Sequence, residues 1–370
     1  MKIESLNILN YRNIAECELR FSPKFNCFLG DNGMGKTNLL DSIYYLAITK
    51  SHLNAIDSQL VRHGEPFMML HGEVSERDNE TCSCDSIDVT IKPHTKKLFK
   101  MNGKAYTKMA DHIGKIPVVL VSPMDQSLIA EGSDERRRFM DIVISQCDTR
   151  YINSLMRYNT VLKNRNEMLK KLGEEGGDDS LLDIYNQQME VEAEYIYDKR
   201  QAFIEKFIPL FNTFYSEICS EREQVELSYE SHLNSGKALS ELLQEVKARD
   251  IILGYTTRGI HKDDLLMTIG GYSMKGTGSQ GQGKSFVVAM KLAQYMFLKA
   301  ESGKKPLLLL DDVFDRLDAT RVENIIRIVS SEEFGQIFIT DTSRNKVDGL
   351  LEGREAKIFG VNEGVIGKMG

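Results

Sequence analysis

A glycine-rich octapeptide constrains this 370-residue chain more than any other feature. Residues 30–37 read GDNGMGKT and fit the pattern G-x-x-x-x-G-K-[ST]. The apolar run Phe25–Leu29 leads directly into the octapeptide, and residues 38–48 carry apolar side chains at helical spacing. Glycines let backbone N–H groups curl around phosphate oxygens, and a helix N-terminus adds partial positive charge. The order strand, glycine loop, helix therefore predicts a phosphate-binding loop.

The whole octapeptide supplies the candidate phosphate-binding residues. Lys36 is expected on the β and γ phosphates, and Thr37 is expected to offer its hydroxyl to Mg²⁺. The candidates are Gly30, Asp31, Asn32, Gly33, Met34, Gly35, Lys36 and Thr37. Two later glycine motifs, GTGSQG at 276–281 and GSQGQGKS at 278–285, do not follow a strand directly. We therefore expect neither to bind a nucleotide within its own subunit.

Two adjacent carboxylates follow a run of four leucines in KKPLLLLDDVFDRLD, residues 304–318. This arrangement has the Walker B form, with acids at the end of a buried strand. Asp311 is expected to hold Mg²⁺ through water, and Asp312 to polarise the water that attacks the γ-phosphate. Exposed acids that cap a helix are the alternative, but it leaves the leucine run unexplained.

Composition places the chain among ordinary soluble proteins, with 41% apolar and 27% charged residues. No apolar run approaches the ~20 residues of a membrane-spanning helix, and the N-terminus lacks the apolar segment of a signal peptide. We therefore expect a cytoplasmic protein with no membrane partner. Six cysteines without a C-x-x-C pair favour neither a disulfide scaffold nor a zinc site.

Hydrophobic periodicity divides the chain into three regions. Residues 1–133 read as an N-terminal lobe with the glycine loop and an added β region near 65–121. Residues 134–250 read as a short helical arm, with one helix over about 134–172 and a second to about 219. Residues 251–370 return to α/β character. The predicted architecture is thus an α/β head interrupted by a helical insertion.

Charge is segregated along the arm, although the net charge of the chain is −7. Residues 136–171 carry nine Lys or Arg against three acids, whereas 172–198 carry acids and no Lys or Arg. Charge alone favours two solvated helical faces that attract one another. The competing interpretation is a local surface for nucleic-acid phosphates, with Arg136, Arg137, Arg138, Arg150 and Arg157 as candidates.

The motifs together resemble an ABC-type P-loop ATPase head of the SMC kind. S-x-G-Q at 279–282 precedes a helix, the Walker B strand and then Leu317 and Asp318. NYRN at 10–13, SPMDQSLIAEGSDERRRFMD at 122–141 and GIHKDD at 259–264 narrow the resemblance to the RecF family of recombinational repair proteins. This resemblance spans nearly the whole chain. It implies the fold class of an SMC-type head with an added β region and a short arm.

The resemblance also implies site residues and partners. It adds Arg12 as a phosphate contact and Gln126 as a Q-loop residue near the metal, and it implies that Ser279 and Gln282 close over ATP bound to another subunit. ATP and Mg²⁺ are the implied cofactors, and the implied assembly is an ATP-dependent homodimer. Its implied target is duplex DNA next to single-stranded gaps, with RecO and RecR as partners and recombinase loading as the outcome.

Two departures from related ATPases predict slow hydrolysis. Asp312 stands where transporter ATPases have Glu, which shortens its reach, and Thr340 and Asp341 stand where many have a switch histidine. An ATP-binding scaffold without useful turnover is one alternative, which Asp311 and Asp312 together oppose. A transporter ATPase subunit is a second alternative, although the 243 residues between Lys36 and Ser279 exceed what its compact helical subdomain requires.

Overall fold

The computed structural model describes residues 1–54, 56–78, 81–219, 223–315, 317–342 and 354–369. Its strands are β1 Lys2–Tyr11, β2 Ile14–Arg20, β3 Phe25–Leu29, β4 Met68–Asp78, β5 Thr81–Ile91, β6 Leu98–Met101, β7 Lys104–Ala105, β8 Val118–Val121, β9 Val225–Glu230, β10 Asp264–Ile269, β11 Tyr272–Ser273, β12 Leu307–Asp311, β13 Ile337–Asp341, β14 Ala356–Asn362 and β15 Val365–Lys368. Its helices are α1 Lys36–Ile48, α2 Ser127–Ala130, α3 Ser133–Ser145, α4 Thr149–Glu175, α5 Ser180–Cys219, α6 Leu239–Glu245, α7 Lys247–Leu253, α8 Met274–Thr277, α9 Gln280–Ser302 and α10 Ala319–Ser330.

The described residues form two compact units. The head unit comprises residues 1–125, 217–219 and 280–370, and the arm unit comprises residues 126–216 and 220–279. The arm unit is thus longer than the insertion at 134–250 that the periodicity predicts. Helices α2 and α8 and strand β10 belong with it because they pack against one another and against α3.

The head unit is built on a six-stranded sheet in the order β15-β14-β3-β13-β12-β8. Strands β14, β3, β13, β12 and β8 run parallel, and β15 pairs antiparallel with β14. Every residue of β3, β12 and β13 is buried, as expected of parallel strands that are covered on both faces. Because parallel strands end at the same edge of a sheet, the carboxyl ends of β3, β13 and β12 lie side by side.

A second sheet of the head unit is antiparallel, in the order β2-β1-β4-β5-β6-β7. Leu6 and Ile8 alternate toward the core that α1 shares, and a register shift between Ile3 and Ser5 lets Ile3 join the same core. This sheet contains most of the β region predicted over 65–121. Residues 118–121 form β8 of the parallel sheet instead, because Val118–Val121 is apolar throughout and pairs with β12.

The arm unit contains two long helices, α4 and α5, and a three-stranded sheet in the order β11-β10-β9. The single helix predicted over 134–172 is divided into α3 and α4. Asp148 causes the second start, since its side chain accepts a hydrogen bond from the Tyr151 N–H at 3.0 Å and caps α4. Within the described ranges, no helix combines the length and apolar character needed to cross a bilayer.

Candidate nucleotide-binding and active site

The loop of residues 30–37 joins the end of β3 to the start of α1 in the head unit, as predicted. Gly33 and Gly35 have φ angles of 84° and 108°, in the left-handed region that favours glycine. A Cβ on Gly35 would also lie 2.6 Å from Asn13 Nδ2. Asp31, Asn32 and Gly33 are exposed, while Lys36 is buried. The glycines therefore allow a tight loop whose tip stays open to solvent.

The ammonium group of Lys36 lies inside this loop. Its Nζ donates to the carbonyl of Gly30 at 2.6 Å and to that of Asp31 at 2.8 Å. Burial lowers the pKa of Lys36, although Asp312 and Asp311 oppose that shift by favouring the charged form. A cation held at the neck of a glycine loop is chemically suited to a polyanionic ligand.

The hydroxyl of Thr37 in the phosphate-binding loop and the Walker B carboxylate of Asp311 are in direct contact. Thr37 Oγ1 donates to Asp311 Oδ1 at 3.1 Å, and Thr340 Oγ1 donates to the same oxygen at 2.7 Å. Burial raises the pKa of Asp311, while the hydrogen bonds from Thr340 and Thr37 lower it. A hydroxyl and a carboxylate at one point are oxygen ligands of the kind that Mg²⁺ prefers. These residues therefore fit a magnesium–nucleotide complex.

Asp312 is oriented by its backbone. Its φ of 50° is unusual for a residue other than glycine, and its N–H donates to Thr340 Oγ1 at 3.0 Å. Thr340 thus binds both Walker B residues at once. Sequence reasoning noted Thr340 only as the replacement for a histidine and did not assign it this contact.

Lys284 is a second residue that sequence reasoning missed. From the first turns of α9, its Nζ donates to the carbonyl of Asp312 at 3.1 Å and to that of Asp315 at 2.5 Å. Lys284 therefore connects α9, the helix that begins within the S-x-G-Q motif, to the backbone around Asp312, the candidate catalytic acid. The only sequence signal was its place in the discarded motif at 278–285.

Residues of the β1–β2 turn and α1 support the loop from below. Asn13 Nδ2 donates to the Met34 carbonyl at 3.2 Å, and Asn13 Oδ1 accepts from Asn38 Nδ2 at 2.7 Å. Arg12 is half-buried, and its Nε lies 3.7 Å from Oδ2 of the buried Asp41. Asn13, from the NYRN stretch, is thus the residue of that turn that touches the loop. The predicted phosphate contact of Arg12 stays a prediction.

Comparison with known proteins tests the resemblance. Residues 2–363 match the family model for the RecF/RecN/SMC N-terminal domain. The DNA replication and repair protein RecF of Bacteroides thetaiotaomicron is 49% identical over all of this chain and 99% of its own length. RecF of Porphyromonas gingivalis is 46% identical over 99% of this chain and all of its own length.

The chain belongs to the RecF family. A solved structure of the recombination mediator protein RecF with ATP, in the RecFOR pathway, has a TM-score of 0.89 and 29% identity over all of this chain and 97% of its own. An SMC head bound to the C-terminal winged-helix domain of ScpA has a TM-score of 0.61 at 15% identity, over all of this chain and 97% of its own. The predicted family and the predicted SMC-type head fold are confirmed.

Three residues that the RecF resemblance suggested lie at or next to the starts of helices. Ser279 is exposed just before α9, and Gln282 is half-buried in the first turn of α9. Gln126 is half-buried at the N-cap of α2 in the arm unit. The adjacent Asp125 belongs to the head unit, where it is buried in an ion pair with Lys291 at 2.7 Å.

Two of the candidate DNA-binding arginines are engaged within the arm unit. Arg136 Nε and Nη2 donate to the two carboxylate oxygens of Asp264 at 2.6 and 2.9 Å. Arg137 is buried, and it donates to the Asp263 carbonyl at 2.5 Å and pairs with Asp134. Because these guanidinium groups already have partners and little exposure, the geometry favours a structural role for both.

The other three arginines are exposed. Arg157 makes a two-point ion pair with Glu192, which raises the pKa of Arg157 through the hydrogen bond, and Arg150 lies 4.0 Å from the Tyr195 ring centroid. Nη1 of Arg138 lies 3.8 Å from Oε1 of Glu135. The pair between Arg157 on α4 and Glu192 on α5 is the helix-to-helix attraction that the segregated charges predicted. Contact of these arginines with DNA stays a prediction.

Proposed function

We propose that this chain is an ATP-dependent DNA-binding protein of recombinational repair and replication restart. The observation that carries the proposal is the contact between Thr37 Oγ1 and Asp311 Oδ1, which joins the two nucleotide motifs. Membership of the RecF family supports it, as does the 29% identity to a RecF bound to ATP in the RecFOR pathway. A cytoplasmic location stays a prediction.

The residues of the head unit have distinct roles in this proposal. The loop of residues 30–37 binds the nucleotide phosphates, Lys36 neutralises their charge, and Thr37 and Asp311 hold Mg²⁺. Bound Mg-ATP supplies the phosphoanhydride bond whose hydrolysis resets the protein. Asp312 orients the attacking water, and the short reach of its side chain makes turnover slow. Thr340 and Lys284 hold the backbone of Asp312 in place.

Two copies of the chain complete the site in this proposal. Ser279 and Gln282 of one copy bind the nucleotide held by the other, so ATP binding drives a homodimer that clamps DNA and hydrolysis releases it. The target is duplex DNA next to single-stranded gaps, and the partners are RecO- and RecR-type mediators that aid recombinase loading. The RecFOR pathway of the solved RecF relatives supports these partners.

Family membership argues against the transporter alternative. The scaffold alternative keeps ATP binding but lacks turnover. The placement of Asp312 beside Asp311, with its N–H bound to Thr340, favours turnover over a passive scaffold.

Solution mass tests the composite site. An Asp312→Asn variant, in which hydrolysis is blocked, should shift from one chain mass to two when Mg-ATP is added. Lys36→Ala is the control. It should stay at one chain mass because it lacks the ammonium group that binds the nucleotide phosphates. A variant Asp312→Asn that binds ATP at micromolar concentration yet remains monomeric would contradict the action of Ser279 and Gln282 across subunits.

A further inference from the structure

The strongest concentration of unpaired positive charge in the described head unit lies outside the arginines discussed above. Residues 92–108 contain six Lys and no Asp or Glu, in a chain whose net charge is −7. Five of the six have no ion-pair partner among the described residues. We call these five the lysine edge: Lys92, Lys96, Lys100, Lys104 and Lys108.

The lysine edge lies on and beside β6 and β7, at the free border of the antiparallel sheet. β7 is the last strand of that sheet, and it pairs with β6 so that Lys104 lies opposite Met101 and Ala105 opposite Lys100. Lys92 and Lys96 lie in the connection between β5 and β6. All of the lysine edge is exposed except Lys100, which is half-buried. Four of its five lysines are therefore open to solvent around β6 and β7.

The sixth lysine anchors this border to the helix that starts in the phosphate-binding loop. Lys97 Nζ lies 3.0 Å from Asp57 Oδ2 and donates to the carbonyl of Thr49, the C-cap of α1. The buried His112 pairs through Nε2 with the Leu46 carbonyl at 2.7 Å, and its ring lies 4.6 Å from that of Phe99 in β6. These contacts attach the start of β6 to residues at and beyond the C-terminal end of α1.

Lysines on an edge strand also serve to prevent pairing with another sheet. That role requires charges on β7 itself, where only Lys104 lies. Lys92, Lys96 and Lys108 lie outside the strands. Protection of the sheet edge therefore explains Lys104 and leaves the positions of the other four lysines unexplained.

The spacing of the lysine edge fits a duplex backbone. The four residues of β6 extend over about 13 Å and contain Lys100, with Lys96 two residues before the strand and Lys104 three residues after it. A duplex carries one phosphate charge per about 1.7 Å of its axis, so the same length offers roughly eight phosphates. Exposed lysines contact phosphates without reading base sequence, which suits the proposed target, duplex DNA next to single-stranded gaps, because that target is not defined by sequence.

We infer that the lysine edge is a contact surface for the phosphate backbone of duplex DNA. This inference rests on the proposed function and adds to it the place where DNA is held on the head unit. It assigns that contact to Lys92, Lys96, Lys100, Lys104 and Lys108 rather than to Arg136 and Arg137, whose guanidinium groups are engaged internally.

The test compares two triple variants with equal charge. Lys96, Lys104 and Lys108 are replaced by Gln in one, and the exposed Lys163, Lys170 and Lys171 of α4 in the other, so each has a net charge of −7 − 3 = −10. Binding of a short fluorescent duplex is measured with Mg-ATP over about 50–200 mM salt. Circular dichroism and nucleotide affinity verify that each variant is folded.

The lysine-edge variant should show a shallower salt dependence than the wild-type chain. Three lost phosphate contacts reduce the steepness of log K against log salt by about 2.7. Between about 50 and 200 mM salt, the wild-type chain should therefore lose roughly 40-fold more affinity than the lysine-edge variant. The α4 variant should keep the wild-type slope.

Equal slopes for both variants would overturn the inference and leave the proposed function intact. Lower solubility with an unchanged slope would assign these lysines to edge protection and overturn it too. A wild-type chain that binds no duplex even at the lowest salt would overturn the proposed function and the inference together.

Discussion

Thr340 connects the two adjacent acids at the end of β12. It donates to Asp311 and accepts from the N–H of Asp312, at 2.7 and 3.0 Å. Thr340→Val keeps the shape of the side chain but removes both hydrogen bonds and leaves a buried carboxylate with one partner fewer. Each buried polar group without its partner costs about 1–3 kcal/mol. We therefore expect ATP turnover to fall by about tenfold or more in a steady-state phosphate-release assay.

The matched control is Thr342→Val, which alters an exposed threonine two residues further along. It should leave turnover within about twofold of the wild-type rate. Nucleotide affinity should change little in either variant, because the loop of residues 30–37 is intact. Equal turnover in Thr340→Val and the wild-type chain would show that Thr340 does not position Asp312.

His112 makes the head unit sensitive to acid. Burial lowers the pKa of His112 from 6.5 to about 4, because the charged ring is poorly solvated beside Phe99. The unfolded chain binds this proton near pH 6.5 and the folded chain only near pH 4. The free energy of unfolding is therefore fully retained above pH 6.5 and falls as the pH drops toward 4, by about 3 kcal/mol in total.

Melting temperatures measured from about pH 7 to pH 5 test this expectation. A His112→Gln variant should be less stable at neutral pH but should lose less on acidification than the wild-type chain. The exposed His63→Gln serves as the control and should follow the wild-type profile. An acid profile that is unchanged by His112→Gln would contradict the role of this ring.

At the scale of elements, buried ion pairs hold the helices of the arm unit to the chain that follows them. Arg165 on α4 and Asp250 on α7 are fully buried, and Nη1 of the arginine lies 2.8 Å from Oδ2 of the acid. Arg200 on α5 binds Asp263 at 2.7 Å in the same way. The helical stripe correctly predicted long helices in this region. It did not predict that charged residues are buried on them.

Asp250→Ala should destabilise the arm unit strongly, because it leaves the guanidinium of Arg165 buried without its charge partner. Breaking a buried pair in this way costs about 3–5 kcal/mol of unfolding free energy. Glu192→Ala removes the partner of the exposed Arg157 and should cost about 1 kcal/mol or less. Thermal and urea unfolding of the two variants provide the measurement. Similar losses in both would refute the distinction between buried and exposed pairs.

At the scale of the whole molecule, nucleotide binding and DNA retention should be coupled. The net charge of −7 repels DNA at long range, so retention depends on local cations and on closure of the dimer. Lys36→Ala should abolish ATP-dependent retention of duplex DNA in a filter-binding assay. The exposed Lys50→Ala, just beyond α1, removes the same charge and should retain DNA normally. Undiminished retention by Lys36→Ala would refute the ATP-gated clamp.

The sequence by itself determined the phosphate-binding loop, the Walker B acids, the order of the head elements and the family. These features could be predicted because each depends on residues adjacent in the chain or spaced by one helical or strand period. The lysine edge was accessible too, since residues 92–108 carry six lysines and no acid. The excess of positive charge in that segment, six, equals that of residues 136–171 in about half the length.

Tertiary structure alone decided which side chains meet. Thr340 reaches Asp311 because β13 lies between β3 and β12 in the sheet, a strand order that local patterns do not encode. Asn13 contacts the loop 21 residues away, and Arg136 binds Asp264 across 128 residues. A guanidinium in a charged stretch has the same local pattern whether it faces solvent or a buried carboxylate. Only the folded chain, which determines what each charge is packed against, separates the two.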